Sequence, residues 1–152
     1  MLPEHGTLVS RSPEETLAHA RDVAARFPGS LVLLQGSLGA GKTLWAKGFA
    51  AGLGLQRPVY SPTYTLMNQY VEEGRALYHL DLYRIGCLEE LHDLGLFEII
   101  EAGHPCLIEW PERVPALASL PHLRVSFEGA SGEAPSTGDE RRITWDWNPH
   151  GV

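Results

Sequence analysis

Eight consecutive residues, Gly36-Ser37-Leu38-Gly39-Ala40-Gly41-Lys42-Thr43, fit the pattern G-x-x-x-x-G-K-[ST]. The chemistry that these residue types support at that spacing is the binding of a nucleoside triphosphate. A loop with little side-chain bulk lets backbone N–H groups wrap phosphate oxygens, and a helix starting directly after it points the positive end of its dipole at them. Gly36, Gly39 and Gly41 permit positive φ and close backbone approach, while Lys42 supplies a point charge for the β- and γ-phosphates. Thr43 offers a hydroxyl to Mg²⁺, so a divalent metal is expected with the nucleotide. Leu44, the next residue, is a further candidate contact. At average composition the four fixed positions coincide in a chain of this size about once in 100 or less.

Hydrolysis needs more than a cradle. In nucleotide hydrolases a second acidic group, at the end of a strand beside the phosphate loop, holds Mg²⁺ directly or through water. Two carboxylates qualify: Asp81, closing Leu77-Tyr78-His79-Leu80, and Glu109, closing Pro105-Cys106-Leu107-Ile108. A solvated strand terminus accounts for either one taken singly. Ser61-Pro62-Thr63-Tyr64 places hydroxyls around a proline, as a loop responding to a γ-phosphate does, and equally as an ordinary turn does. His79-x-Asp81-x-Tyr83 would set three polar groups on one face of an extended backbone, with Leu80 and Leu82 on the other.

These residues need elements to position them. Ser12-Pro13-Glu14-Glu15 reads as a helix start with Ser12 as N-cap, Pro13 first and Glu15 closing a capping box. Leu17, Ala20, Val23, Ala24 and Phe27 then share a face, and Pro28-Gly29 ends the helix. Leu31 to Gln35 is an uninterrupted apolar run, the pattern of a strand covered on both faces. The helix from Lys42 to about Leu53 is expected to bury Leu44, Phe49 and Leu53. Tyr64, Leu66, Asn68 and Tyr70 share one face of an extended segment, and Glu72-Glu73-Gly74-Arg75 turns it into Ala76 to Leu80 as a hairpin. A helical region starts at Leu88 and breaks near Gly95, a strand runs from Pro105 to Glu109, and a helical or irregular piece follows Pro111. Leu123 to Phe127 and Arg142 to Trp145 alternate as half-exposed strands, separated by a Gly-, Ser-, Pro- and Glu-rich loop from Gly129 to Gly138. The expected fold is α/β, a P-loop nucleotide-binding domain spanning 1–152, with a mostly parallel central sheet, added antiparallel strands and helices on both faces.

The 152 residues, 43% of them apolar, suffice for a continuous core. A net charge of -7 argues against broad contact with a nucleic-acid backbone, which calls for a basic stripe. Cys87 and Cys106 lack C-x-x-C spacing and read as reduced thiols, and the histidines lack zinc spacing. The start of the chain has no basic-then-apolar signal pattern, and no run approaches the ~18 apolar residues of a membrane span. The expected location is therefore cytoplasmic, with no membrane contact.

The ordered set Gly36 to Thr43, Ser61-Pro62-Thr63-Tyr64-Thr65-Leu66, His79-Leu80-Asp81-Leu82-Tyr83-Arg84 and Leu107-Ile108-Glu109-Trp110 resembles the bacterial TsaE (YjeE) family over about residues 12–113. That resemblance implies an ATPase serving tRNA N6-threonylcarbamoyladenosine (t6A) formation with the TsaD and TsaB proteins, tRNA being reached through those partners. It implies Lys42 on the phosphates, Thr43 and Glu109 on Mg²⁺, Asp81 near the γ-phosphate and attacking water, and Thr63 in a switch-like segment. Trp110, a packing residue by composition alone, corresponds to a family tryptophan near the nucleotide. Two rival readings are a small-molecule kinase, with Arg141-Arg142 offered as lid residues, and a non-hydrolytic ATP sensor. A GTPase is disfavoured because no N-K-x-D segment occurs: Asn68 and Asn148 are followed by Gln69 and Pro149.

Overall fold

The structure is a computed structural model that describes residues 2–37, 41–62, 65–129 and 140–151. Its first helix, α1 (Pro13–Arg26), starts as its sequence dictates: the Ser12 side chain accepts the Glu15 N–H at 3.2 Å. The reciprocal half of the capping box is displaced by one residue, because the Glu15 carboxylate accepts the N–H of Arg11 at 2.7 Å rather than that of Ser12. Ala20, Val23 and Ala24 are buried, and Leu17 is only half-buried.

β2 (Leu31–Gln35) lies at the centre of the sheet. It pairs in parallel with β5 (Cys106–Glu109) and with β6 (His122–Glu128), and β5 pairs in parallel with β4 (Arg75–Asp81). Antiparallel strands flank this centre. β3 (Met67–Glu72) pairs with β4 through a two-residue turn in which Glu73 and Gly74 both have positive φ, as an I′-type hairpin requires. On the other side β7 (Arg141–Asn148) pairs with β6, and β1 (His5–Ser10) with β7. The order is β1-β7-β6-β2-β5-β4-β3. The expectation of a mostly parallel sheet therefore holds for the four central strands, while over the whole sheet parallel and antiparallel pairings are equal in number.

Because side chains alternate across a strand, β2 feeds two cores. Val32 and Leu34 face a cluster containing Ala20 and Val23 of α1 and Trp45, Phe49 and Ala50 of α2 (Lys42–Gly52). Leu31 and Leu33 face a second cluster with Leu91 of α3 (Leu88–Asp93) and Leu96 of α4 (Leu96–Glu101). Helices thus cover both faces. Gly95, with φ 75°, makes the break between α3 and α4 that its sequence position suggested.

Several expectations need correction. In α2 the buried anchor is Trp45, fully enclosed against Phe49 and Phe127, whereas Leu44 and Leu53 are half-buried. Enclosing one indole removes roughly 200 Å² from water, on the order of 5 kcal/mol before entropy. β1 had no counterpart in the sequence reading. Leu66 is not extended: its φ of 70° puts it in a turn before β3. The helical or irregular piece expected after Pro111 is present, as two short 3₁₀ turns, Pro111–Arg113 and Pro115–Ser119. Tyr64 and the loop at 130–139 lie outside the described residues. Among the described residues no helix is long and apolar enough to cross a membrane.

Candidate functional site

The parallel centre aligns the carboxyl ends of β2, β4 and β5, and the chemically capable residues collect there. Glu109 is in register with Leu34 on one side and Asp81 on the other. Leu77 of β4 and Leu107 of β5 contribute to the core beneath α1 and α2, so His79, Asp81 and Glu109, at two-residue spacing from them, face the same side. That is the side on which α2 begins with Lys42. Crevices outside the carboxyl ends of parallel strands are where open α/β sheets bind ligands.

Gly41 supplies the N-cap of α2 at φ 99°, where a side chain would be strained. Lys42 is 6% exposed. Its Nζ donates to the Gly36 carbonyl at 2.8 Å, stands 3.7 Å from Glu109 Oε1 and lies 4.8 Å above the Trp110 ring centroid. An ammonium has three donors, and among the described residues Lys42 has one hydrogen bond, so donor capacity remains for an oxyanion. The other Glu109 oxygen, Oε2, accepts from His79 Nε2 at 2.7 Å. Because a carboxylate only accepts, the shared proton sits on Nε2. Asp81 is buried too, and its Oδ1 accepts the Tyr83 N–H at 2.9 Å while its own N–H donates to the Leu66 carbonyl. Leu66 in turn donates to the Pro62 carbonyl. The turn holding Pro62 is thereby tied to the end of β4.

Trp110 sits at φ 59° directly after Glu109, a left-handed conformation that costs a non-glycine residue of order 1 kcal/mol or more. Its ring meets Tyr83 edge-on at 5.0 Å, and the Arg113 guanidinium lies 5.0 Å from the Tyr83 ring centroid. Tyr83 itself departs from expectation. The strand ends at Asp81, so Tyr83 is 53% exposed instead of sharing the buried face of His79 and Asp81.

The structure thus brings together Gly36, Gly41, Lys42, Asp81, Glu109 and Trp110. Thr43 and Leu44 follow in the first turn of α2, both half-buried, and Ser37 is exposed. Leu38, Gly39, Ala40 and Thr63 lie outside the described residues. Two site members were missed as such. His79 carried a motif but no role, and Arg141 was offered only as a lid residue. A Cβ on Gly41 would lie 3.5 Å from Arg141 Nε, which puts the Arg141 side chain beside the loop although its residue opens β7. No local spacing signals that approach, since it depends on β7 lying next to β6. Among the described residues no three His, Cys, Asp or Glu side chains group as a metal cage. The oxygen donors at hand, Thr43 hydroxyl and Glu109 carboxylate, are those that a hard cation accepts alongside substrate oxygens and water.

The family model described as "Threonylcarbamoyl adenosine biosynthesis protein TsaE" matches residues 10–142. A Bacillus subtilis protein named tRNA threonylcarbamoyladenosine biosynthesis protein TsaE is 41% identical over 135 residues, covering 88% of this chain and 80% of its own length. A Treponema pallidum protein of the same name is 46% identical over 122 residues, covering 78% and 87%. The crystal structure of Bacillus subtilis YdiB superposes with a TM-score of 0.70 at 35% identity, covering 95% of this chain and 86% of that one. With the family model spanning most of its length and relatives at this identity, the chain belongs to the TsaE family.

Proposed function

We propose that this protein is a single P-loop ATPase domain that binds ATP with Mg²⁺ and hydrolyses it in support of tRNA N6-threonylcarbamoyladenosine formation, together with the TsaD and TsaB proteins. The observation carrying this reading is the convergence of Lys42, Asp81 and Glu109 from three separate segments at the carboxyl ends of adjacent parallel strands. The relatives' printed names supply the pathway. The two free thiols, one exposed and one buried, support a cytoplasmic setting.

Phosphoryl transfer to water asks a protein for positioning and charge neutralisation more than for covalent chemistry. In this reading Lys42 leaves Glu109 for the β- and γ-phosphate oxygens, and Arg141 stands close enough to the loop to add positive charge. Thr43 and Glu109 would hold Mg²⁺, which when bound neutralises phosphate charge. Asp81 orients a water whose oxygen attacks the γ-phosphorus as the bond to the β–γ bridging oxygen breaks. The water's proton leaves toward the carboxylate, and ADP and phosphate result. The Tyr83 N–H on Asp81 Oδ1 fixes the carboxylate, and Oδ2, which has no hydrogen bond among the described residues, is the oxygen offered to the water.

Phosphate release measured with the TsaD–TsaB partners present tests the assignment. Asp81→Asn is expected to lower the rate by roughly 10²-fold or more while nucleotide binding persists. An unchanged rate would remove the water-positioning role. Because part of the machinery would be completed at an interface, the isolated chain is expected to be slow, and equal rates with and without partners would count against the assembly.

A further inference from the structure

His79 has no place in the G-x-x-x-x-G-K-[ST] pattern, yet it is completely buried beside the carboxylate on which the site depends. We propose that His79 is a positioning residue that holds the Glu109 carboxylate away from Lys42, keeping the lysine available for phosphate and the carboxylate available for the metal. The inference rests on the nucleotide-binding reading given above.

The geometry is a competition for one carboxylate. Glu109 is 5% exposed, so its oxygens cannot rely on water. Oε2 is engaged by His79 Nε2 at 2.7 Å, within the range of a charge-assisted hydrogen bond, whereas Oε1 stands at 3.7 Å from Lys42 Nζ, an ion pair beyond hydrogen-bond distance. With His79 in place the carboxylate is held by one oxygen and cannot rotate to present both to the lysine. Without it, Oε2 becomes a buried acceptor lacking its partner, and the nearest cation is Lys42. The pair would close up, and Lys42 and Glu109 would satisfy each other instead of the ligand. The other ring nitrogen, Nδ1, is buried with no hydrogen-bond partner among the described residues, so the polar chemistry of the ring is directed at Glu109 alone.

The test is a titration of a fluorescent N-methylanthraniloyl ATP analogue, once in EDTA and once in excess Mg²⁺, against wild type and five variants: His79→Leu, His79→Asn, His79→Gln, Glu109→Gln and the double variant His79→Leu/Glu109→Gln. His79→Leu is expected to weaken metal-free binding about tenfold, the equivalent of one charge-assisted hydrogen bond, and to shrink the enhancement by Mg²⁺. His79→Gln, whose amide N–H reaches the place of Nε2–H, is expected to recover most of both. His79→Asn, which reaches only the Nδ1 place, is expected to behave like leucine and carries the comparison if His79→Leu fails to fold. The double variant discriminates most sharply: with no carboxylate left to capture Lys42, its metal-free affinity is expected to return to that of Glu109→Gln. A double variant as weak as His79→Leu, or both His79→Leu and His79→Asn binding like wild type, would overturn the positioning role while leaving nucleotide binding intact. Failure of the wild type to bind the analogue would instead bring down the nucleotide reading, and this inference with it.

Discussion

His19 shows how much a single side chain contributes to the conditions under which the molecule stands. Its Nδ1 accepts the Trp45 Nε1–H at 3.0 Å, its ring centroid lies 4.7 Å from that of Trp145, and burial pushes its pKa down to about 4 against an opposing pull from Asp22. An unfolded histidine titrates near 6.5, so between these values the unfolded chain binds a proton that the folded chain refuses. Stability is then full above about pH 6.5 and falls as pH drops toward 4, below which both states are protonated and the loss levels off. By pH 5 the loss from this one group is about 2 kcal/mol. Burial also lowers the pKa of His122, which adds in the same direction. Urea midpoints measured at pH 7.5 and 5 are expected to drop in wild type and to drop less in His19→Asn, whose amide oxygen takes the place of Nδ1 and can still accept from Trp45. Equal drops would show that His19 is not the group responsible. A second residue-scale outcome concerns the thiols. Cys106 is enclosed and its pKa is raised to about 12 by burial, whereas Cys87 is exposed, so a thiol reagent such as DTNB is expected to modify one cysteine rapidly in the native protein and the second only on unfolding.

Between elements, α1 and α2 approach each other closely, and glycine makes it possible. A Cβ on Gly48 would lie 2.6 Å from the Leu17 carbonyl oxygen and 2.8 Å from Ala20 Cβ, and one on Gly52 would lie 2.7 Å from Ala24 Cβ. Propensity alone predicts that Gly48→Ala stabilises a helix by about 1 kcal/mol; the contact with backbone, which cannot swing aside, predicts overpacking of about 1–3 kcal/mol. The second term is expected to win, so Gly48→Ala lowers the melting temperature while Lys47→Ala, on the exposed face of the same helix, stays within about 0.5 kcal/mol of wild type. A stabilised Gly48→Ala would show that the helices can part without cost. The same elements mark what was legible in the sequence. α1 was readable to its capping residue because Ser12, Pro13 and Glu15 act locally, and β2 and the β3–β4 turn were readable for the same reason. β1 was not, because Gly6 to Ser10 has no strong pattern of its own. It becomes a strand by pairing with β7, helped by the Trp145 Nε1–H on the Pro3 carbonyl and the Trp147 N–H on that of Glu4. Nor did α2 reveal Trp45 as its anchor, since which face of a helix is buried depends on the sheet beneath it.

Across the whole molecule, the candidate site exists only because strands far apart in sequence end side by side. The glycine-rich segment ending in Lys42 and Thr43 and the carboxylates at Asp81 and Glu109 could be picked out singly from local patterns, but that Glu109 is shared between Lys42 and His79, and that the Arg141 side chain lies beside Gly41, follow from strand order and register. This arrangement makes a global prediction. A ligand bridging the ends of β2, β4 and β5 binds the folded chain and not the unfolded one, so at one hundred times its Kd it stabilises folding by about 2.7 kcal/mol. For a domain of this size that is an upward shift in melting temperature of roughly 5–10 °C. ADP with Mg²⁺ is the suitable probe, because it is not consumed during the scan. Lys42→Ala removes the proposed phosphate contact but leaves Glu109 its bond to His79, so the variant is expected to fold, to melt near its own ligand-free value, and to show little further shift when nucleotide is added. Each protein is compared with itself, which separates lost binding from lost stability. If Lys42→Ala rose by as much as wild type, the nucleotide would be bound somewhere other than the end of β2, and the grouping of Lys42, Asp81 and Glu109 would need another explanation.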